Sequence, residues 1–323
     1  MRRWARCPLL EAAREAAALW GLGDAPIELA AQRENVVFRV GASGGDWALR
    51  FHRPGYRDEG QLTSELQWLA ALANGGVRVP APKPALSGAL IQRQGDHMVD
   101  MLEWMPGRPL GKAGSLDRVT DRVGFCRALG TAMAQLHGVS DEWPRPMGFS
   151  RPAWDRAGLL GERPLWGRFW EHPALSDGER DLLLEVREKA DAALAGIEGD
   201  ADYGLIHADL ISENMLFDDA EPDAGVALID FDDGGFGFRD FELATFLLRF
   251  TEAADYRELR AAMCEGYRVR RRVRPEQLDL FILLRALTYP GWIMDRLGEP
   301  GSEERSSRAI ATALREARRW LET

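Results

Sequence analysis

Lysine is nearly missing from this chain: Lys83, Lys112 and Lys189 are the only three in 323 residues, so almost every positive side chain is an arginine. Positive charge is itself in deficit, with a formal net charge of -10. An acidic balance of that size disfavours nucleic acid and anionic membranes as partners and suits a cationic small molecule. Cysteine is scarce too. Cys7, Cys126 and Cys264 are odd in number and far apart, which excludes a disulfide framework or cysteine metal cluster and fits a reducing compartment. No apolar run is long enough for a membrane span. The longest, Leu278 to Met294, contains Asp279, Arg285 and Pro290 and reads as a core helix. The basic start at Arg2, Arg3 and Arg6 meets Glu11, Arg14 and Glu15 before any apolar core, so it does not read as a secretory signal. The expectation is a cytoplasmic protein with no nucleic-acid and no membrane partner.

What the chain does have is one stretch that carries chemistry, His207-Ala-Asp-Leu-Ile-Ser-Glu-Asn214, followed by the apolar run Val226-Ala-Leu-Ile ending in Asp230-Phe-Asp232. An Asp on a short loop can take the proton of an attacking hydroxyl. An Asn oxygen five residues on and a second Asp at the end of a buried strand supply the hard oxygen ligands that a divalent cation on nucleotide phosphates requires. The spacing H-x-D-x-x-x-x-N matches the kinase catalytic loop, and Asp230-Phe231 stands where the kinase metal-binding Asp does.

On these motifs the sequence resembles the aminoglycoside phosphotransferase family, which includes type II homoserine kinases, choline-kinase relatives and a bacterial stress-response Ser/Thr kinase. The resemblance runs roughly from residue 30 to residue 290. It implies an α+β, bilobal protein-kinase-like fold, with a small antiparallel-sheet N-lobe over residues 1–105 and a larger, mainly helical C-lobe over 106–323. It also implies ATP and Mg2+, with Asp209 as catalytic base and Asn214 and Asp230 as metal ligands. Asp232 is left open between a second metal and a turn.

Three β-type runs, Ile27 to Ala31, Asn35 to Val40 and Asp46 to His52, predict an antiparallel meander after an Ala-rich helix over 9–20. In the third run Trp47, Leu49 and Phe51 share one face, leaving Ala48 and Arg50 on the other. By resemblance Ala48 lets adenine approach and Arg50 replaces the usual lysine at the phosphates; the alternative is an exposed strand arginine. A helix over 61–73 carries Glu65 beside its Leu62, Leu66, Leu69 stripe, and the resemblance pairs Glu65 with Arg50. No G-x-G-x-x-G precedes the second strand, so the turn Gln32 to Asn35 would cover the phosphates. A strand near Met98 to Leu102 leads into Glu103-Trp-Met105, whose backbone would meet the adenine edge.

Beyond it, helical spacing predicts a helix over 116–136 ended by His137, read as a structural histidine. The stretch 141–178, with Trp143, Trp154, Trp166 and Trp170, either lines an acceptor pocket or simply packs. Glu242, or else Asp240, is expected to brace the catalytic loop. Residues 254–321 read as helical with breaks at Pro275, Pro290-Gly291 and Pro300-Gly301, and Tyr289, Trp292 and Asp295 are acceptor-pocket candidates. No Ala-Pro-Glu segment or activation loop follows Asp230. The preferred function is therefore phosphorylation of an alcohol on a small molecule such as an aminoglycoside or amino alcohol. A Ser/Thr kinase with a protein acceptor is the alternative, and a non-catalytic nucleotide-binding module is a third reading.

Overall fold

The computed structural model describes residues 6–32, 35–112, 115–116, 118–220 and 225–322. In chain order the elements are α1 (Arg6–Ala18), β1 (Ile27–Gln32), β2 (Val36–Val40), β3 (Trp47–Phe51), α2 (Glu59–Asn74), β4 (Gln92–Gln94), β5 (His97–Glu103) and β6 (Arg108–Pro109). Then follow α3 (Arg122–Glu142), β7 (Ala153–Trp154), α4 (Arg156–Leu160), α5 (Asp177–Ile197), β8 (Tyr203–Ile206), β9 (Met215–Phe217), β10 (Ala227–Leu228) and β11 (Gly235–Phe238). Four helices close the chain: α6 (Arg239–Leu247), α7 (Tyr256–Arg268), α8 (Leu278–Met294) and α9 (Ser302–Leu321). Two compact units result, one of Met1–Arg108, Glu142–Arg151 and Met215–Ile229, the other of Pro109–Asp141, Pro152–Asn214 and Asp230–Thr323.

The first unit is an antiparallel sheet in the order β1-β2-β3-β5-β4. Strand alternation gives it two chemically different faces. Phe38, Val40, Leu49, Phe51, Val99 and Met101 form an apolar face that packs against Ala13, Ala16, Ala17 and Trp20 of α1 and its end, where small side chains admit close approach. Arg50, His52 and Asp100 fall at the intervening positions. Helix α2 starts at a capping box in which Asp58 and Gln61 satisfy each other's amides, which places its start two residues before the expected start at Gln61. Burying Leu62, Leu66 and Leu69 contributes about 1.5–3 kcal/mol each. Of the turn expected to cover phosphates, Arg33 and Glu34 lie outside the described residues.

The second unit is built on α6, buried along all 9 of its residues, and on α8, which packs against α6 and α9. A small sheet, β7-β11-β8, sets β8 antiparallel and β7 parallel to β11. Helix α3 runs over Arg122–Glu142 instead of 116–136: Asp121 accepts the Gly124 amide at 2.8 Å and starts the helix there, and the helix continues past His137. That histidine is therefore interior, hydrogen bonded to the Tyr267 hydroxyl at 2.8 Å, and burial pushes its pKa well below the ordinary value, so it is neutral. Helix α8 likewise passes through Pro290-Gly291, where composition predicted a break. The lost hydrogen bond is tolerated because packing holds the helix on both sides.

Helices α3 and α7 meet backbone to backbone through paired glycines. A Cβ on Gly130 would sit 2.2 Å from the Met263 carbonyl oxygen, and one on Gly266 would sit 1.8 Å from that of Arg127. Gly266→Ala is therefore expected to lower stability by about 1–3 kcal/mol through overpacking, read as a lower urea midpoint with an unchanged slope.

Candidate active site

Strand β8 delivers the chain into the His207–Asn214 loop, and the first residue after His207 is under backbone constraint. Ala208 adopts φ 66, a left-handed conformation that an L-residue with a Cβ rarely takes. Two side chains from different helices hold it. The Glu242 carboxylate of α6 accepts the amides of His207 at 2.7 Å and Ala208 at 2.8 Å, while Arg285 of α8 donates to the Ala208 carbonyl at 3.1 Å. Glu242, not Asp240, is thus the brace. Burial pushes the Glu242 carboxyl above its ordinary value, although His207 and the two amides favour its charged form.

Both carboxylate oxygens of Asp209 are engaged. Oδ1 accepts from Arg285 Nη2 at 2.5 Å and Oδ2 from Asn214 Nδ2 at 3.0 Å, and Asn214 Nδ2 also donates to the Asp209 carbonyl at 2.9 Å. Since both partners of Asn214 are acceptors, its amide nitrogen must face them. Its side-chain oxygen is then the atom that could serve a hard cation. His207 accepts the Asp209 amide at 3.3 Å, and its ring packs on Phe231 with centroids 4.3 Å apart. That ring contact ties the Asp230-Phe231 segment to the loop of Asp209 and Asn214. Asp230 is exposed and, at φ 67, also left-handed. Among the described residues, no three His, Cys, Asp or Glu side chains gather into a preformed metal cage. Two oxygen-bearing side chains of this kind would suit a cation held partly by its substrate.

Around Arg285 lies an aromatic box. Its guanidinium sits over Trp166 at 4.6 Å and Tyr289 at 4.7 Å, and the Tyr289 hydroxyl accepts from Arg249 at 2.8 Å and from Arg285 at 3.1 Å. Trp154 and Trp166 donate to the backbone carbonyl and carboxylate of Asp233 at 2.8 and 3.4 Å. Gly291 makes this possible: a Cβ there would sit 2.5 Å from the carbonyls of both Trp166 and Gly167. The tryptophan-rich stretch thus divides. Trp154 and Trp166 reach this box, whereas Trp143 packs on Phe149, and Trp170 on Phe169.

In the first unit Arg50 lies in register opposite Asp100 across β3 and β5. Its Nε and Nη2 grip the Asp100 carboxylate at 2.8 and 2.7 Å, and Nη2 also reaches Glu65 at 3.0 Å. His52 donates to Asp100 at 2.7 Å, and Arg151 donates to the other Glu65 oxygen at 3.1 Å. All five side chains are buried. Burial alone would raise the Asp100 and Glu65 carboxyls, but Arg50, with His52 and Arg151, outweighs it and holds both below their ordinary values. Asp100, His52 and Arg151 escaped the sequence reading. The available signal was a carboxylate inside the apolar run Met98 to Leu102. Ala48 is half-buried on the same strand face as Arg50, and the Glu103 amide is committed to the Ala81 carbonyl at 2.8 Å.

Residues 27–275 match the model of the phosphotransferase enzyme family. The solved structure of a microcompartment-associated aminopropanol kinase superposes with a TM-score of 0.81 at 29% identity, covering 96% of this chain and 97% of that one. An amicoumacin kinase solved with AMP-PNP, Ca2+ and Ami superposes at 0.72 with 17% identity, over 97% and 94% of the two chains, a likeness of fold alone. The homoserine kinase of Methylobacterium sp. (strain 4-46) is 31% identical over 208 residues, 61% of this chain and 56% of that enzyme, so the match spans little more than half of that relative. The fold is of the α+β protein-kinase-like class. The chain belongs to the phosphotransferase enzyme family, and it is an ATP-dependent phosphotransferase whose acceptor is an alcohol group on a small molecule. Among the described residues no helix is long and apolar enough to cross a membrane.

Two outcomes are expected from the buried charges. Asp100→Asn leaves Arg50 and His52 without their shared counter-ion and should cost about 3–5 kcal/mol in denaturant unfolding. Asp240 behaves oppositely: burial first, then Asp202, raises its carboxyl from 3.8 to about 7. The folded chain keeps that proton where the unfolded chain has shed it, so stability falls as pH rises between those two values and stays reduced above them. Asp240→Asn should therefore raise the melting temperature at pH 8, with the gain closing towards pH 4.

Proposed function

We propose that this enzyme works in the cytoplasm and moves the γ-phosphoryl group of Mg2+-ATP to the hydroxyl of a short, amine-bearing alcohol. The observation that carries the catalytic part is the Asp209–Asn214 pair. One carboxylate is held at both oxygens beside an amide whose oxygen is turned away from it. Asp209 would receive the acceptor's proton, late in a loose transition state that asks mainly for orientation. Asn214, through its side-chain oxygen, and Asp230 would hold Mg2+, with phosphate and water completing its shell. When bound, that cation neutralises charge on the transferring phosphoryl group.

In the first unit, Arg50 would meet phosphate as a fork fixed by Asp100 and Glu65, not as the mobile point charge a lysine presents. Ala48 would leave room for adenine. The Glu103 carbonyl and Met105 would serve the adenine edge, since the Glu103 amide is already spent. The amine on the acceptor is supported by the acidity of the chain and by the aminopropanol kinase likeness, which covers nearly the whole of both chains.

ATP consumption across amino alcohols, hydroxy amino acids, aminoglycosides, sugars and a protein extract tests the proposal. Turnover should be highest on an amine-bearing alcohol and should require Mg2+. Asp209→Asn should lower kcat about 10²–10⁴-fold while leaving ATP affinity in place. Label appearing in protein bands instead, or an undiminished Asp209→Asn rate, would overturn the proposal.

A further inference from the structure

Arg285 is a charge in the wrong place for packing alone. Helix α8 is apolar and buried along most of its length, yet at its centre lies a guanidinium with 0% of its surface exposed. Withdrawing an isolated cation from water costs several kcal/mol, so such a side chain persists where fixed acceptors compensate it. Here the acceptors are the Asp209 carboxylate, the Ala208 carbonyl and the Tyr289 hydroxyl. The faces of Trp166, Tyr289 and Phe241 enclose the guanidinium at 4.6, 4.7 and 5.8 Å.

Two of those acceptors belong to consecutive residues of the loop. Ala208 holds a left-handed conformation that its own sterics oppose. Glu242 secures the amide side of that bend, and Arg285 secures its carbonyl side together with the next side chain. Asn214 fixes the other carboxylate oxygen of Asp209 and the Asp209 carbonyl. Without Arg285, the carboxylate could rotate about its χ2 torsion and the Ala208 carbonyl would lose its guanidinium donor, leaving the Ala208–Asp209 peptide held through the Asp209 amide's bond to His207.

We propose that Arg285 is a positioning residue for phosphoryl transfer: it locks the Asp209 carboxylate and the strained Ala208 peptide in the arrangement that meets the acceptor hydroxyl. Fully enclosed, it touches neither substrate and acts through Asp209, so this inference rests on the reading of Asp209 as base. The planar fork matters as much as the charge. It spans two acceptors and stacks on Trp166, which a lysine ammonium cannot do together.

The test measures ADP formation from ATP with aminopropanol and with water as acceptors, in Arg285→Gln, Arg285→Lys and Arg285→Ala. A displacement of the base by about 1 Å is worth about 10²-fold in rate, so Arg285→Gln should lose about that in kcat while the KM for ATP stays within about twofold. Arg285→Lys should recover only part of the loss. Millimolar guanidinium should restore part of the Arg285→Ala rate by refilling the aromatic box, and a merely structural role would not give that rescue. In an Asp209→Asn background, Arg285→Gln should cause no further fall. An unchanged kcat in Arg285→Gln, or a loss that persists in full in the Asp209→Asn background, would overturn the proposal. If Asp209→Asn alone retains the wild-type rate, it is the base assignment that fails. A variant that melts early is distinguished by thermal unfolding, and Arg285→Lys with the guanidinium rescue then decides.

Discussion

A carboxylate with no exposed surface, Glu242, accepts two consecutive backbone amides, and the arrangement of the His207–Asn214 loop depends on that pair of hydrogen bonds. Those amides turn the chain into the left-handed bend at Ala208, and the bend aims Asp209 where Arg285 and Asn214 can grip its two oxygens. Left-handed backbone at a residue with a Cβ costs on the order of 1–3 kcal/mol. Helices α6 and α8 meet that cost by being buried, since neither Glu242 nor Arg285 can relax into solvent. The stability of the second unit is thus coupled to the geometry of its loop.

The first unit uses charge in a similar way but for a different end. Arg50, Asp100, Glu65, His52 and Arg151 form a buried network on the polar face of the sheet, opposite the apolar face that α1 covers. Such networks are weak sources of net stability compared with apolar packing, yet severe liabilities when one member is lost. Their benefit is orientation. In a chain with three lysines, the strand cation is an arginine, and an arginine must be held by its fork to present a defined donor.

What was legible in the sequence was whatever is local. The spacing of His207, Asp209 and Asn214, and Asp230 after an apolar run, point to phosphoryl transfer because one short loop and one strand end carry the proposed base and ligands. The strand meander and the Leu62, Leu66, Leu69 stripe are also short-range patterns. Asp100 was hidden because its meaning depends on strand register, which sets it opposite Arg50. Arg285 counted only as an interruption in a hydrophobic run, since its partners Ala208 and Asp209 are more than seventy positions away. Pro290 misled in the other direction: proline favours a helix break locally, but packing around Gly291 and the Trp166–Gly167 backbone carries α8 through it.

The amino-acid sequence by itself determined the family, through the resemblance its motifs carry, and with it the α+β class; spacing over a few residues also marked the loop proposed to carry the reactive groups. Only the tertiary structure decided which buried charges hold those groups. Glu242 was chosen over Asp240, Asp100 became the partner of Arg50, and Arg285 became the partner of Asp209. The physical reason is that an ion pair between distant segments is selected by burial and geometry: a charge taken out of water must find whichever partner the packed elements bring within reach.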